Sequence, residues 1–231
     1  MDLAIVIPVY NEEENIQVLL DDFYKILVEE GINYTIFVIN DGSSDGSLQK
    51  LESLVPSIPN LQLLSKNNSG HGPSLMKGYK LAFAHQWVFQ FDSDYQYSLS
   101  AFRELWGKRE GYDLLIAERK ARIASWSRYG ITMLLTYLTR LLYGKGIHDI
   151  NVPYRLIRTS KLKAALSYIH PNSFAPNTLI TAYFIKKRLR IFSTISELRQ
   201  GGSIKQSKMT ASIFKGCIRS ILDLMTFRFK I

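Results

Sequence analysis

The first hundred residues alternate between short apolar runs and amphipathic segments. Four mainly apolar runs predict strands, and the first, at residues 3–7, is a continuous apolar run typical of a strand buried on both faces of a sheet. They lie at residues 3–7, 34–39, 61–64 and 87–91. Segments with apolar positions at helical spacing lie between them, at residues 12–27, 48–54 and 73–84. Asn11 is expected to cap the first helix. Strands that alternate with helices predict an α/β fold, with a mostly parallel sheet flanked by helices.

The second half of the chain has a less regular pattern. It predicts helices at residues 124–143, 161–167 and 177–187, and strands at 154–157 and 189–198. The last segment carries apolar residues on one helical side with lysines and arginines among them. We therefore expect a catalytic domain over residues 1–208, followed by a basic amphipathic helix or tail over residues 209–231. Such a helix suits the surface of a membrane, or else packs on the domain or on a second copy.

Polar clusters follow three of the four predicted strands. They lie at residues 8–12, 40–46 and 92–96. In open sheets of parallel strands, ligands bind outside the carboxyl ends of the strands, which share one edge. The three clusters are therefore expected to meet at one ligand-binding rim.

Asp92 and Asp94 come directly after a buried strand with one residue between them. Two carboxylates at this spacing in an extended turn can point at one divalent cation. Mg²⁺ and Mn²⁺ prefer oxygen ligands and share their coordination with substrate phosphates, and Gln96 can add a carbonyl oxygen. The alternative is a solvated turn whose aspartates cap the next helix.

The other two rim candidates are Asp41 and the segment from Gly70 to Gly72. Asp41 can accept hydrogen bonds from a base or a ribose, although Asp, Gly and Ser also favour turns without any ligand. A glycine-rich start of a helix can meet a phosphate. His71 alone favours a structural role over a catalytic one.

Composition and charge narrow the class of protein. Hydrophobic residues make up 46% and charged residues 21% of the 231 residues, as in an ordinary globular chain. Residues 1–100 hold 5 basic and 13 acidic side chains, and residues 101–231 hold 24 and 7, giving net charges of −8 and +17. An acidic half suits a metal cation, and a basic half suits phosphates or an anionic membrane. The alternative is two solvated faces of opposite sign.

The single cysteine and the lack of a signal-peptide pattern favour a cytoplasmic location, and no transmembrane helix is expected. A lipid substrate would add peripheral association with the membrane. No nucleic-acid-binding motif is present, and the basic residues are scattered among apolar helices, so a nucleic-acid partner is not expected.

Four motifs occur in the order seen in family 2 glycosyltransferases. They are IPVYNEE at residues 7–13, NDGSSDG at 40–46, the loop and helix at 68–78, and DSDYQ at 92–96. The chain most resembles the branch of dolichol-phosphate mannose synthases and polyprenyl-phosphate glycosyltransferases, over about residues 1–205. The resemblance implies an A-type glycosyltransferase fold, a nucleotide-diphosphate-sugar donor, a lipid-phosphate acceptor and inversion at the anomeric carbon.

The resemblance also implies roles for individual residues of the rim. The nucleotide would be bound by Pro8, Tyr10, Glu12, Asp41 and Asp92. The metal, Mg²⁺ or Mn²⁺, would be held by Asp92, Asp94 and Gln96.

Arginines in the second half receive roles from the same resemblance. The acceptor phosphate would be bound by Arg119, Arg122, Arg128 and Thr132. Arg199 begins a segment similar to a loop that closes over the donor phosphates. Asp94, Arg128 and Arg199 are therefore the expected catalytic residues.

Three departures from the family pattern bear on the mechanism. Asn40 replaces an aspartate, Pro153 replaces a glycine, and Asn177 lies where many relatives carry a glutamate. A sugar hydroxyl needs a base to remove its proton, whereas a lipid monophosphate is already ionised, so Asn177 favours the phosphate acceptor. A glycosyltransferase of the same fold acting on a sugar hydroxyl, and a non-catalytic nucleotide-sugar binder, remain the alternatives.

Overall fold

The computed structural model describes residues 2–119, 137–144, 150–199 and 211–231. Within them, seven strands form one sheet in the order β3-β2-β1-β4-β6-β5-β7. The strands are β1 Leu3–Val9, β2 Tyr34–Asn40, β3 Leu61–Ser65, β4 Trp87–Gln90, β5 Leu114–Arg119, β6 Arg155–Arg158 and β7 Ile191–Ser196.

The sheet is mostly parallel, as the sequence predicts. Strands β1 to β4 all run in one direction, and β5 pairs with β7 in parallel. Only β6 runs antiparallel to both of its neighbours, β4 and β5. Because β1, β2 and β4 are parallel, their carboxyl ends share one edge, and the polar clusters after them are brought together there.

Seven α-helices lie wholly within the described ranges and flank the sheet. They are α1 Ile16–Glu29, α2 Ser47–Leu54, α3 His71–Leu81, α4 Ser100–Lys108, α5 Thr159–Leu166, α6 Pro176–Lys186 and α7 Ala211–Phe227. Helix α1 shows why the pattern folds this way, because Ile16, Leu19, Leu20, Phe23 and Leu27 are fully buried at helical spacing. Burying each such side chain contributes about 1.5–3 kcal/mol.

The start of α1 differs from the prediction. The helix begins at Ile16, and Asn11 lies in the preceding loop with a left-handed φ of 54°. The Asn11 side chain accepts a hydrogen bond from the Ser44 backbone at 2.8 Å, and the Ser47 hydroxyl accepts one from the Glu12 backbone at 2.8 Å. These contacts hold the loop after β1 against the loop after β2, so Asn11 joins two rim loops instead of capping a helix.

Two elements were not predicted, namely α4 and β5. Of the predicted helix at residues 124–143, residues 137–143 are helical and the remainder lies outside the described residues. No helix in the ranges given above is long and apolar enough to cross a membrane.

An aromatic cluster supports the end of β4. The rings of Phe89 and Phe91 pack edge-on against Tyr154 at centroid distances of 5.2 and 5.1 Å, and Phe23 contacts both phenylalanines. These side chains are buried. The loop that starts at Asp92 therefore follows a densely packed segment of the core. This packing fixes the backbone position from which the loop and its carboxylates extend.

Candidate functional site: two adjoining cavities at the sheet edge

Two cavities adjoin at the edge formed by the carboxyl ends of β1, β2 and β4. The smaller has a volume of about 360 Å³ and the larger about 680 Å³. Gly70, His71 and Asp92 line both of them. A molecule in one cavity would therefore lie next to a molecule in the other, with Asp92 and His71 at the junction.

The smaller cavity gathers five of the residues predicted from the sequence. They are Pro8, Tyr10, Asp41, Asp92 and Asp94. The Tyr10 ring is about half exposed, and such a ring offers a flat apolar face to a base. The convergence of the three rim loops, expected from the strand pattern, is confirmed by this geometry.

Asp41 organises the loop that leads into α3. Its carboxylate accepts hydrogen bonds from the backbone N–H groups of Ser69 and Gly70, at 2.9 and 2.8 Å, and forms an ion pair with Lys66. Gly70 has a φ of +94°, a conformation that favours glycine. Asp41 thus positions one wall of the smaller cavity, while its predicted contact with a nucleoside stays a prediction.

The loop after β4 is tied to the chain that follows β7. The Arg199 backbone N–H donates to the Gln96 carbonyl at 2.9 Å, and the Arg199 guanidinium lies 4.2 Å from the centre of the Tyr95 ring. Tyr95 has a left-handed φ of 44°, and its hydroxyl donates to Asp22. These contacts place Arg199, a predicted catalytic residue, beside the loop that carries Asp94.

Asp92 and Asp94 fit a magnesium or manganese ion of the kind that nucleotide sites use. Such ions are held by one or two carboxylates together with substrate phosphates, and these two carboxylates line the same cavity. The Gln96 side-chain amide donates to Asp94 at 2.7 Å, and Gln96 lines neither cavity. Across the described ranges, no group of three or more His, Cys, Asp or Glu is placed to hold a metal by itself.

A chain of buried hydrogen bonds supports Asp92 from behind. The Tyr79 hydroxyl donates to Asn177 Oδ1 at 2.7 Å, Asn177 Nδ2 donates to Gln90 Oε1 at 3.0 Å, and Gln90 Nε2 donates to Asp92 Oδ1 at 2.9 Å. Burial raises the pKa of Tyr79, which keeps its hydroxyl a donor. We call these four residues the Asp92 support chain.

Asn177 has a structural role in this support chain. The residue is 2% exposed at the start of α6, and its backbone carbonyl accepts from the buried Arg155 guanidinium at 3.2 Å. A glutamate at this position would place a charge in the core next to Gln90. The asparagine at position 177, where the family pattern has a glutamate, is therefore part of a chain of neutral side chains that donates a hydrogen bond to Asp92.

His71 lies among three carboxylates. Its Nε2 is 3.1 Å from Asp92 Oδ1. Burial by itself lowers the pKa of His71, but Asp92, with Asp94 and Asp41 farther away, outweighs that effect and raises it. The neighbouring carboxylates therefore favour the protonated imidazole at the junction of the two cavities, and the structural role favoured from the sequence stays a prediction.

Glu12, a predicted nucleotide-binding residue, is not brought to the cavities. Glu12 lines neither one, and its carboxylate accepts from the Asn15 side chain at 2.9 Å. Arg119 is the last residue of β5. Arg122, Arg128 and Thr132 lie outside the described residues. Their predicted roles stay predictions.

Four residues near the cavities were missed by the sequence analysis. Lys66 and Gln90 contact the rim aspartates, and Lys215 and Arg219 of α7 line the larger cavity. A signal for Gln90 existed, because it is a polar residue inside the otherwise apolar β4. Lys215 and Arg219 gave no such signal, since the amphipathic pattern of α7 does not say where the helix packs.

The fold and the paired cavities define an α/β protein with a nucleotide-sized site at the carboxyl edge of its sheet. The sequence profile of Glycosyl transferase family 2 matches residues 4–166, and the chain belongs to this family. The predicted class, a glycosyltransferase, is thereby confirmed.

Curated relatives agree with the predicted branch. The chain is 27% identical over 227 residues to undecaprenyl-phosphate 4-deoxy-4-formamido-L-arabinose transferase of Proteus mirabilis (strain HI4320), covering 97% of this chain and 67% of the relative. The protein of the same name from Edwardsiella ictaluri (strain 93-146) is 28% identical, with coverage of 87% and 62%. The chain thus spans about two thirds or less of the length of these relatives.

Solved structures confirm the A-type glycosyltransferase fold. S. aureus TarS in complex with UDP is similar with a TM-score of 0.64 at 22% identity, covering 97% of this chain and 65% of that one. Glucosyl-3-phosphoglycerate synthase from Mycobacterium tuberculosis, in complex with Mn²⁺, UDP-glucose and glycerol 3-phosphate, is similar with a TM-score of 0.65 at 17% identity, covering 98% and 79%.

Proposed function

We propose that the chain transfers a sugar from a nucleoside-diphosphate sugar to a polyprenyl phosphate at a membrane surface. The observation that carries the proposal is the pair of adjoining cavities, which lets a donor and an acceptor meet beside Asp92 and His71. The names of the curated relatives, which act on undecaprenyl phosphate, support the acceptor class.

The smaller cavity binds the donor in this proposal. The Tyr10 ring packs against the base, and the Asp41 loop surrounds the ribose. Asp92 and Asp94 hold Mg²⁺ or Mn²⁺, which when bound offsets the negative charge of the leaving diphosphate. Arg199, placed beside the same loop by its contacts with Gln96 and Tyr95, adds a second positive charge toward the diphosphate.

The reaction is a displacement at the anomeric carbon. An oxygen of the acceptor phosphate attacks this carbon while the bond to the diphosphate oxygen breaks, so the configuration inverts and the nucleoside diphosphate leaves. A phosphate oxygen is ionised at neutral pH, and no side chain has to remove a proton. Asn177, which is neutral and engaged in the support chain, is compatible with this chemistry. Arg128 is proposed to orient the acceptor phosphate, with Arg119 or Arg122 and Thr132 beside it.

The test is transfer of labelled sugar from a panel of nucleotide sugars into an organic-solvent extract containing a polyprenyl phosphate. We expect label in the lipid phase when Mg²⁺ or Mn²⁺ is present and none after chelation. Label in an oligosaccharide acceptor instead would favour transfer to a sugar hydroxyl. Donor binding without any turnover would favour a non-catalytic binder.

The metal assignment is tested with Asp94→Ala and its matched control Asp21→Ala, which removes an exposed carboxylate from α1. Asp94→Ala is expected to abolish metal-dependent transfer and, because it removes the hydrogen bond from Gln96, to lower the free energy of unfolding by about 1 kcal/mol. Asp21→Ala is expected to behave as the wild type. Full transfer by Asp94→Ala would contradict the assignment.

A further inference from the structure

The larger cavity is bounded by a helix that the proposed mechanism does not use. Helix α7 contributes Lys215, Gly216 and Arg219 to the wall of this cavity, which His71 and Asp92 also line. A molecule in the cavity therefore lies beside both the junction with the donor site and the two basic side chains of α7.

One face of α7 is anchored in the protein. A side chain at Gly216 would meet the Phe174 ring at 2.3 Å, so the helix backbone lies directly against this ring. Leu224 and Phe227 are buried, and the Tyr143 hydroxyl donates to the Leu224 carbonyl at 2.5 Å. The orientation of the helix is therefore set, and the face opposite these residues points outward.

The outward side of α7 carries two chemically different groups of side chains. Lys215 and Arg219, exposed at the cavity, are one helical turn apart, and in the described part of the chain neither forms an ion pair. Like charges at this spacing repel, and an anion between them relieves the repulsion. Ile218, Leu222 and Met225 of the helix, and Phe229 just after it, are exposed by 45%, 57%, 47% and 88%. We call these four residues the apolar stripe.

We propose that α7 forms the outer part of the acceptor site, with Lys215 and Arg219 binding the phosphate and the apolar stripe contacting the hydrocarbon chain of a lipid phosphate. This inference rests on the proposed function and names the residues that select the acceptor. The arrangement of the groups supports it, because Lys215 and Arg219 line the cavity and the residues of the apolar stripe lie outside it. A lipid phosphate has its charged and apolar parts in the same order.

The chemistry of the two basic residues suits a phosphate. Arginine offers a planar fork of donors and lysine a compact charge, and both bind phosphate oxygens through charge-assisted hydrogen bonds. Removing both side chains is expected to weaken phosphate binding about 10-fold or more. Both residues are exposed, so their removal should leave the fold intact.

The first experiment measures binding without turnover. A short, water-soluble isoprenoid monophosphate is titrated by calorimetry into the wild type, Lys215→Ala/Arg219→Ala and a control, Lys25→Ala/Lys186→Ala. The control removes two exposed lysines that line neither cavity. We expect the first variant to bind about 10-fold more weakly or worse, and the control to bind as the wild type. Equal binding by all three proteins, or no binding by the wild type, would overturn the inference.

The second experiment separates this inference from the proposed function. In transfer assays, Lys215→Ala/Arg219→Ala should raise the KM for the acceptor and leave the KM for the donor within about two-fold. Leu222→Ser/Met225→Ser should raise the acceptor KM for a long-chain polyprenyl phosphate and not for the short one. A wild type that binds the lipid phosphate but transfers no sugar would contradict the proposed function alone. Unchanged acceptor KM values, or a stripe variant that alters only the oligomeric mass, would overturn the inference alone.

Discussion

Gln90 connects the hydrophobic core to the rim carboxylates. It is fully buried, accepts a hydrogen bond from Asn177 and donates one to Asp92 Oδ1. Replacing it by leucine keeps the side chain's approximate size but leaves both partners without their bond. Replacing a residue that orients a metal ligand commonly weakens metal affinity about 10- to 100-fold. Gln90→Leu should therefore raise the Mn²⁺ concentration that gives half-maximal transfer by about 10-fold or more.

The matched change for Gln90→Leu is Tyr79→Phe. It removes the bond at the far end of the support chain and leaves the contact between Gln90 and Asp92 in place. Tyr79→Phe should lower the free energy of unfolding by about 1 kcal/mol and keep the metal requirement near that of the wild type. If Gln90→Leu also lowers only stability, with an unchanged metal requirement, Gln90 does not position Asp92.

His85 makes the stability of the fold depend on pH. Its ring is buried, with Nε2 3.0 Å from the Thr35 hydroxyl and Nδ1 3.3 Å from the Ala82 carbonyl. Burial lowers the pKa of His85 from its ordinary value of 6.5. Protonation therefore favours the unfolded chain, and the free energy of unfolding should fall as the pH drops below about 6.5 toward the pKa of the folded state.

The measurement for His85 is urea unfolding at several pH values between 7.5 and 5.5. The wild type should lose stability toward the acidic end, and His85→Gln should lose less, because it removes the buried imidazole. His170→Gln, at an exposed histidine, should retain the wild-type pH dependence. Identical pH profiles for the wild type and His85→Gln would contradict the assignment.

At the scale of single residues, short motifs predict which carboxylates lie at the rim and do not predict what supports them. Asp92 and Asp94 are adjacent to a buried strand and were identified from that position. Asn177 and Gln90 are 87 residues apart in the sequence, and no local pattern links them. Their contact depends on how α6 packs against the sheet, which is a property of the tertiary structure.

Helix α3 packs so closely on a neighbouring loop that it needs a glycine in its first turn. A Cβ at Gly72 would lie 2.0 Å from the Ser173 carbonyl oxygen and 2.7 Å from that of Phe174. Backbone atoms cannot move aside as the end of a flexible side chain can, so Gly72→Ala should push α3 and residues 173–174 apart. Gly72 and Phe174 both line the larger cavity, whose wall would be displaced. We expect a loss of about 1–3 kcal/mol in the free energy of unfolding, together with reduced transfer.

Gly107→Ala is the matched control for Gly72→Ala. Gly107 lies in α4, and a Cβ there meets nothing within 4 Å. Alanine should therefore leave stability unchanged or raise it by up to about 1 kcal/mol, because it reduces the freedom of the unfolded chain. Chemical denaturation of both variants measures the difference. Equal stability of Gly72→Ala and Gly107→Ala would contradict the close packing.

At the scale of elements, hydrophobic periodicity predicted the first four strands and the helices between them. It missed α4 and β5, and it shifted the start of α1 by four residues. Strand β6 was predicted at residues 154–157, but its antiparallel direction between β4 and β5 was not, because its register is set by pairing such as Val88 with Ile157. Pairing between strands so distant in sequence leaves no local signal.

At the scale of the whole molecule, the acidic and basic halves of the sequence meet at the two cavities. The smaller cavity carries Asp41, Asp92 and Asp94, and the outer wall of the larger one carries Lys215 and Arg219. A metal ion bound with a diphosphate would match the acidic smaller cavity. A lipid phosphate would match the basic side chains of the larger one. In the proposed function, the charge division seen in the sequence would correspond to two subsites, although composition alone could not place them next to each other.

The net charge of +17 on residues 101–231 should attract the protein to an anionic bilayer. Each basic side chain near such a surface contributes about 1 kcal/mol, and salt screens the attraction over about 10 Å at 0.1 M. Binding to vesicles that contain phosphatidylglycerol should therefore fall steeply between about 0.05 M and about 0.5 M salt, where the screening length shortens several-fold. Binding to phosphatidylcholine vesicles should be weaker throughout. Co-sedimentation of the full chain with each kind of vesicle measures both effects.

A pair of variants separates a local contact of α7 with the bilayer from the effect of total charge. Lys230→Glu and Lys25→Glu change the net charge equally, but Lys230 follows α7 next to the exposed Phe229, whereas Lys25 is an exposed residue of α1. If the outward face of α7 meets the bilayer, Lys230→Glu should reduce vesicle binding more than Lys25→Glu at the same salt concentration. Equal reductions would show that the attraction depends on net charge alone, and binding that does not change with salt would contradict an electrostatic attraction altogether.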